Sequence, residues 1–551
     1  MSEREQDLRP EIEAVWRLAN AGRLAEAREA SARLVEKAPK HPEAGFARGV
    51  TLLQSGAIED GIAVLQGVVT TAPHHAGARL NLARGLAHAG RGEEAEAALR
   101  ALIAAQPALP AAAMDLAALL ARREAAGEAI AVLEEARRHA PRDANLLINL
   151  GGLQAGQGEP EAARRTLDAA VALDPQQPLA HYNLGRVQRD LGADDAAVRC
   201  FRRAVELNPR LDQAWRNLGN TLLDLGRVKE AFQAFNEGAK VRRAPGGPPS
   251  RDPVSYQTSA SKLTHDIEQF RYLRARGKLP ESFEATIRAY EDTLAALPET
   301  GALSHVVDIP RERLPALQAS YNRLVVCERS PAVSPSAVNP ALDTGKIEAD
   351  YARNAPGITF ADGFLTPAAL AELRRFCLES TFWYEYRYGN GYLGAFFDEG
   401  FASPLLYQIS EELRLKLPGI FRDHTLRKLW AFKYDSRLSG IPMHADFAAV
   451  NVNFWITPDE SNLEPETGGL EVWDKEAPAD WDFTKYNKDE AAMRRFLAEQ
   501  EARCVKVPHR QNRIVVFNSD LFHATGALHF RPGYEHRRIN ITMLYGKRED
   551  A

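Results

Sequence analysis

A chain of 551 residues is too long to fold around one hydrophobic core, so two or three domains are expected. Hydrophobic residues at 45% and charged residues at 26% exclude a largely disordered chain. A formal net charge of -5 and a pI near 6.3 give no overall attraction to nucleic acid or to an anionic membrane surface. The opening residues MSEREQDLRPEIEAVW lack a basic segment followed by an apolar one, and no apolar run is long enough to span a bilayer. A cytoplasmic protein without membrane or nucleic-acid partners is expected. The four cysteines, Cys200, Cys327, Cys377 and Cys504, are widely spaced and form no CxxC pair, so each reads as a small buried apolar side chain in a reducing compartment.

From residue 9 to residue 242 three residue series recur at one period. Pro39, Pro73, Pro107, Pro141, Pro175 and Pro209 are 34 apart. Gly22, Gly56, Gly90, Gly158, Gly192 and Gly226 keep the same step, with Glu124 where one member is missing. Ala27, Ala95, Ala129, Ala163, Ala197 and Ala231 form the third series, with Gly61 filling its gap. A helical hairpin needs a small residue where its helices cross, a glycine to end the first helix and a proline to stop the second. Units such as AHYNLGRVQRDLGADDAAVRCFRRAVELNP, residues 180–209, resemble tetratricopeptide repeats. The resemblance covers residues 9–242 as about seven units and implies an all-α superhelix whose concave face binds a protein or peptide partner. Glu124 is expected to distort its turn, and Tyr182, Trp215 and Phe232 stand at core positions.

The Pro- and Gly-rich stretch RRAPGGPPSRDPVS marks a linker, and 3.6-residue periodicity from about 256 to 327 predicts helices. Residues 243–344 are therefore read as a linker and helical connector. From 345 to 551 the pattern changes to short segments rich in β-branched and aromatic residues. GITFADGFLTPAALAELRRFCLES predicts a strand and then a helix opened by Thr366 and Pro367. LRKLWAFKYD, AVNVNFWIT, GGLEVW, ARCVKV, RIVVFNSD and RRINITMLYG predict further strands. A segment from Asp480 to Glu501, holding the predicted helix DEAAMRRFLAEQ, is an insert that reads as a lid or as decoration.

In PMHADFAAV, His444 and Asp446 are two apart and point the same way on extended backbone. His523 follows the apolar run RIVVF. Two imidazoles and one carboxylate make a facial set that leaves coordination positions open on a metal. Arg538 opens RINIT, with Asn540 and Thr542 on the same strand face by alternation. The constellation HAD, TGGLEVW, H and RINIT resembles the 2-oxoglutarate/Fe(II)-dependent dioxygenases, in particular their prolyl-hydroxylase-like branches. The resemblance implies a double-stranded β-helix, or jelly roll, with Fe(II) on His444, Asp446 and His523. It further implies 2-oxoglutarate as co-substrate, held by Arg538, Thr542, Tyr434 and Asn453, and allows ascorbate as an accessory reductant. Arg537 is the alternative carboxylate partner. The separation of His523 and Arg538 by ALHFRPGYEH exceeds the usual family spacing and implies an inserted loop.

His424, His509, His529 and His536 read as surface or loop residues. The aromatic run FWYEYRYGNGYLGAFFDEG, with Arg387, Tyr388 and Tyr392, lies where related enzymes build the substrate mouth. The reading is thus a hydroxylase of a protein or peptide side chain recruited by the repeats. Its alternatives are a small-molecule hydroxylase whose repeats serve assembly, and an interaction scaffold with an inactive oxygenase domain. Oligomeric state is not legible in the sequence.

Overall fold

A computed structural model describes residues 8–247, 256–298, 302–388, 390–422, 424–436 and 440–547. Contacts divide the chain into two compact units, Met1–Leu207 and Asn208–Ala551. No helix among the described residues is long and apolar enough to cross a membrane.

The first unit consists of helical hairpins, from the pair Arg9–Asn20 and Leu24–Lys37 to the pair Pro178–Asp190 and Asp194–Leu207. The periodic residues account for its geometry. Each second helix ends two residues before its proline, at Lys37, Thr71, Ala105, His139, Leu173 and Leu207. Ala27, Ala95, Ala129, Ala163 and Ala197 are completely buried at the helix crossings. At Gly61 an added Cβ would lie 2.7 Å from Leu53 Cδ2, so the crossing at that repeat is tight enough to exclude even alanine without adjustment. The glycines after each first helix adopt left-handed φ values of 70–84°, which release the chain into the second helix. Glu124 takes φ 62° at the equivalent place, so its turn keeps the repeat geometry instead of distorting it. The cost is a side chain in a backbone region that L-residues disfavour.

The second unit begins with one more hairpin, Asp212–Asp224 and Val228–Arg242. Phe232 and Phe235 of its second helix pack on Phe397, with ring centroids 4.3 and 4.8 Å apart. Arg243 donates to Glu399 at 2.8 Å, and Arg427 pairs with Asp224 at 2.8 Å. Residues that would face solvent on an isolated repeat are thus absorbed into a larger core. Phe232 is buried, as expected, whereas Trp215 of this hairpin and Tyr182 in the first unit are only half-buried. The connector contributes helices Ala260–Ala275 and Glu284–Ala295 and the short antiparallel pair β1 (Gln257–Thr258) and β2 (Val307–Asp308). Its first helix is fixed to the strand-bearing region. Gln269 donates to the carbonyls of Leu378 and Ser380 at 3.2 and 2.9 Å, and Arg537 pairs with Glu268 at 2.9 Å.

Nine further strands follow: β3 (Ile358–Ala361), β4 (Leu393–Phe396), β5 (Leu426–Lys433), β6 (Val450–Trp455), β7 (Leu470–Glu476), β8 (Cys504–Val507), β9 (Ile514–Asn518), β10 (Leu521–Thr525) and β11 (Ile539–Tyr545). They form two antiparallel sheets, six strands in the order β3-β9-β6-β11-β5-β4 and three in the order β10-β7-β8. Ile358, Trp455, Val515 and Phe517 from the larger sheet meet Leu470, Val472, Val507 and Leu521 from the smaller one, so the core lies between the sheets. The other face of the large sheet is covered by helices, as where the Tyr545 hydroxyl donates to the Ser410 carbonyl at 3.0 Å in helix Pro404–Lys416. Every residue of β6, β9 and β11 is consequently buried. The predicted helix after β3 spans Pro367–Glu379, and the Thr366 side chain caps it by accepting from Ala369 N–H.

The cysteines depart from the expectation of uniform burial. Cys377 is buried, with its thiol pushed up to about 12 by desolvation, Cys200 is half-buried, and Cys327 and Cys504 are exposed. Replacing Glu124 by glycine is expected to stabilise the first unit by about 1 kcal/mol, because it removes a left-handed side chain. The mirror change, Gly158→Ala, is expected to destabilise by a similar amount. Thermal or urea melts of the two variants check this, and equal midpoints contradict it.

Candidate metal centre

The site is assembled where a loop crosses a hairpin. His444 and His523 form an isolated antiparallel bridge, His444 N–H donating to the His523 carbonyl at 3.0 Å and His523 N–H to the His444 carbonyl at 2.8 Å. Asp446 N–H donates to the Ser519 carbonyl at 3.1 Å, at the β9–β10 turn. These three backbone hydrogen bonds hold the two segments together, and the two imidazoles sit with centroids 4.3 Å apart.

Orientation of the rings follows from their other nitrogen. His444 Nδ1 lies 2.9 Å from the Pro442 carbonyl and His523 Nδ1 lies 3.0 Å from the Leu521 carbonyl. A carbonyl only accepts, so both Nδ1 atoms carry the proton and both Nε2 lone pairs are bare. Those lone pairs point toward one carboxylate: His444 Nε2 is 3.8 Å from Asp446 Oδ1 and His523 Nε2 is 3.5 Å from Oδ2. Burial, followed by the proximity of His523, lowers His444 to about 4, which keeps the ring neutral near pH 7. Two neutral imidazoles and a carboxylate with all donor atoms within 4.8 Å of one another fit a divalent metal ion. Among the described residues no other group of three such side chains converges in this way.

The carboxylate is tied into the large sheet by a continuous ladder of polar side chains. Asn451 Nδ2 donates to Asp446 Oδ2 at 2.6 Å, and Asn453 Nδ2 donates to Asn451 Oδ1 at 2.7 Å. Asn453 Oδ1 accepts from Asn540 Nδ2 and from the Thr542 hydroxyl, both at 2.8 Å. The register explains the assembly, since Asn453 is paired with Thr542 and Trp455 with Asn540 across β6 and β11. Alternating residues of neighbouring strands thus face the same interior. Asn451 holds Asp446 directly, yet as one more asparagine on a strand it carries no distinguishing signal in the sequence.

A cavity of about 30 Å³ is lined by His444, Asp446, His523, Asn453 and Thr542 together with an aromatic and aliphatic wall that includes Trp430 and Phe432. Tyr434 and Arg538 stand behind this cavity without lining it. The Tyr434 hydroxyl is 3.5 Å from the Thr525 hydroxyl, a lining residue, and its ring lies 4.7 Å beneath the Arg538 guanidinium. Arg538 is 1% exposed; its Nε donates to the Gly468 carbonyl at 2.6 Å, while Nη1 has no partner. Burial lowers this guanidinium from its usual value, opposed by Tyr434. Arg537 is differently placed. It pairs with Glu268 at 2.9 Å and Asp435 at 3.1 Å, so its charge is already matched by two carboxylates. Of the two adjacent arginines, Arg538 is the one left with unmet demand for an anion.

His509 also departs from expectation. It lies in a loop but is buried, both ring nitrogens lack partners, and burial followed by Arg538 lowers it to about 3. His529 pairs with Glu464 at 2.9 Å, and His536 Nδ1 is 3.0 Å from the Ser461 hydroxyl, so both are engaged away from the centre. The insert proves to be a buttress. Tyr486, Met493 and Leu497 of its helices Phe483–Asn487 and Glu490–Glu499 pack with Met443 and Ala445, and Ala445 N–H donates to the Tyr486 carbonyl at 3.1 Å. Met443 and Ala445 alternate with His444 and Asp446, so the insert grips the back of the loop whose front holds the ligands. Tyr388 and Tyr392 stack at 4.3 Å beside Phe432, on the outer side of the cavity wall, whereas Arg387 turns to Glu385 at 2.6 Å.

Comparison with known proteins bears on the helical part. Tetratricopeptide repeat family models match residues 12–76, 148–209 and 182–248, and a second such model matches 52–122, so the N-terminal region is a tetratricopeptide repeat array. Solved structures similar to the chain include a thermophilic tetratricopeptide repeat protein of Thermus thermophilus, 24% identical over 33% of this chain and 100% of that one, with TM-score 0.29. Pseudomonas aeruginosa pilF is 21% identical over 41% of this chain and 92% of its own, with TM-score 0.29. YrrB, described as a repeat protein with an unusual peptide-binding site, is 20% identical over 33% of this chain and 93% of its own, with TM-score 0.28. No curated protein matches the chain.

If Asn451 positions the carboxylate, Asn451→Ala weakens divalent-cation binding by about 10–100-fold, while His523→Ala abolishes it. Anaerobic titration calorimetry with Fe(II) measures both, and unaltered affinity in the two variants contradicts the site.

Proposed function

We propose that residues 345–551 form an Fe(II)- and 2-oxoglutarate-dependent oxygenase that hydroxylates a side chain of a protein or peptide held by the tetratricopeptide repeats. In this reading the two antiparallel sheets are the double-stranded β-helix of that class. The observation that carries it is the pairing of a convergent two-histidine, one-carboxylate set with a buried arginine that has no carboxylate partner. An isolated buried charge costs several kcal/mol unless compensated, so a site that keeps Arg538 in this state is built for an anion.

His444, Asp446 and His523 would hold the metal, which supplies dioxygen activation coupled to decarboxylation of the co-substrate. The protein contributes position. The Pro442 and Leu521 carbonyls aim the two Nε2 atoms, and the Asn451–Asn453–Thr542 ladder keeps the carboxylate from rotating away. Arg538 would bind the distal carboxylate of 2-oxoglutarate, with the Tyr434 ring and the Gly468 carbonyl fixing the guanidinium plane. Thr542 and Asn453 present polar atoms between the two ends. Arg538 stands behind the wall of the cavity, reached past Thr525 and Tyr434. The aromatic cluster of Tyr388, Tyr392 and Phe432 then excludes water around the reacting C–H bond.

The repeat array gives the chain an interaction role, and delivery of a protein substrate is the use that suits an oxygenase on the same chain. Purified protein reconstituted anaerobically with Fe(II) and 2-oxoglutarate is expected to release succinate once oxygen is admitted. His444→Ala is expected to lose this turnover, and Arg538→Met to raise KM for 2-oxoglutarate about thirtyfold or more, as removal of a buried charge partner does. Succinate release undiminished in His444→Ala overturns the assignment.

A further inference from the structure

A second cavity of the second unit lies away from the metal ligands. Its volume is about 570 Å³, and it opens between the hairpin of residues 212–242, the end of the connector and the segment leading into β4. Six arginines line it: Arg216, Arg242, Arg243, Arg311, Arg323 and Arg387. Among the described residues the only lining carboxylates are Glu385 and Glu399. Glu399 is taken by Arg242 and by Arg243 at 2.8 Å, and Glu385 by Arg387 at 2.6 Å. Arg323 donates to the carbonyl of Gly247 at 3.2 Å. Arg216 and Arg311 have no carboxylate partner among the described residues.

Hydrogen-bond accounting sharpens the point. Arg216 Nε, Arg242 Nη2, the Tyr384 hydroxyl and Asn322 Oδ1 are buried polar atoms without partners, and all four belong to residues lining this one cavity. Tyr384 is only 7% exposed, and its ring carries the Arg243 guanidinium at 4.4 Å. Buried polar atoms are paired in the great majority of cases, and clustered exceptions beside a cavity are where water, an ion or a ligand completes the pairing. Three of these four are donors, so the missing partner is rich in acceptors. Forked guanidinium groups suit the several oxygens of a phosphoryl group, which they can meet two at a time. The volume suits a small molecule, and the lining rings of Tyr256, Tyr321, Tyr384 and Tyr386 offer it apolar and stacking surface.

We propose that this arginine-lined cavity binds a small organic phosphate ester, its phosphoryl group at Arg216 and Arg242 and its organic part against the tyrosines. The site is independent of the metal centre. It joins the last repeat hairpin to the sheet region, so an occupant would couple the two, and its lining residue Phe396 lies 6.2 Å, ring to ring, from Phe432 of the metal cavity's wall.

The test is titration calorimetry on the full chain, without added metal, using a nucleoside monophosphate, inorganic phosphate and citrate at ionic strength matched with chloride. The double variant R216Q/R311Q removes the two arginines that support no ion pair, and its circular-dichroism melt reports whether the fold is kept. The proposal expects saturable binding of the ester, tighter than inorganic phosphate, and weakened at least tenfold in the folded double variant. If the double variant does not fold, Tyr384→Phe, which deletes one orphaned hydroxyl, is expected to weaken the ester about threefold or more. Absence of saturable binding, preference for citrate, equal binding of inorganic phosphate, or ester affinity unchanged in the variants overturns it.

Discussion

The reciprocal pair of backbone hydrogen bonds between His444 and His523 is the constraint on which the candidate centre depends. It closes a loop approaching β6 onto the hairpin of β9 and β10, and thereby brings a histidine from each onto one carboxylate. Side chains then complete what the backbone begins, since each imidazole spends its Nδ1 proton on a carbonyl two residues before its own position. The apolar insert and the polar ladder act on opposite sides of this junction. Met493 and Leu497 press on the back of the loop, while Asn451 draws the carboxylate into the sheet. A metal site needs both, because ligands that are present but loosely held lose affinity and geometry together.

The electrostatics of the interior follow one theme. Cations are buried in several places, but they are matched unequally. Lys262 meets Asp266 at 2.5 Å, and Arg537 meets Glu268 and Asp435. Lys433, fully buried, meets the Tyr534 hydroxyl at 2.9 Å, the Cys377 carbonyl at 3.3 Å and the rings of Trp383 and Tyr534, and desolvation drives it well below its usual value. Arg538 and Arg216 lack even a carboxylate neighbour. Structural cations in this fold are neutralised or caged, so those left unmatched beside cavities are the ones that point to ligands.

Much of this was legible beforehand. The 34-residue recurrence located the repeats because each recurring residue has a separate geometric task, and the H-x-D spacing placed two side chains on one face. Alternation along RINIT sets Arg537 and Arg538 on opposite faces, and of the two Arg537 is the one that meets carboxylates, Glu268 and Asp435. Other features left no local mark. Glu124 keeps a glycine-like turn because neighbouring repeats impose it. Asn451 reaches Asp446 only because the chain folds back between them, and His509 is buried against the rings of Trp455 and Phe530, far off in sequence. The attachment of the last hairpin to the sheet region was hidden because residues such as Phe235 satisfy the repeat pattern and the outside contact at once. Burial of β9 on both faces leaves IVVFN without the alternation from which a strand's inward face is read, whereas β6 and β11 keep it in VNVN and INIT.

The central claim is that one bound metal ion and the Arg538 anion site act on a single co-substrate. Anaerobic visible spectroscopy tests it most directly. The account predicts that adding 2-oxoglutarate to protein loaded with Fe(II) produces a weak charge-transfer band that is absent with either component alone and absent in Asp446→Ala, and that needs a higher 2-oxoglutarate concentration in Arg538→Met. Protein that binds both Fe(II) and 2-oxoglutarate yet develops no band, or a band that survives in Asp446→Ala, contradicts it.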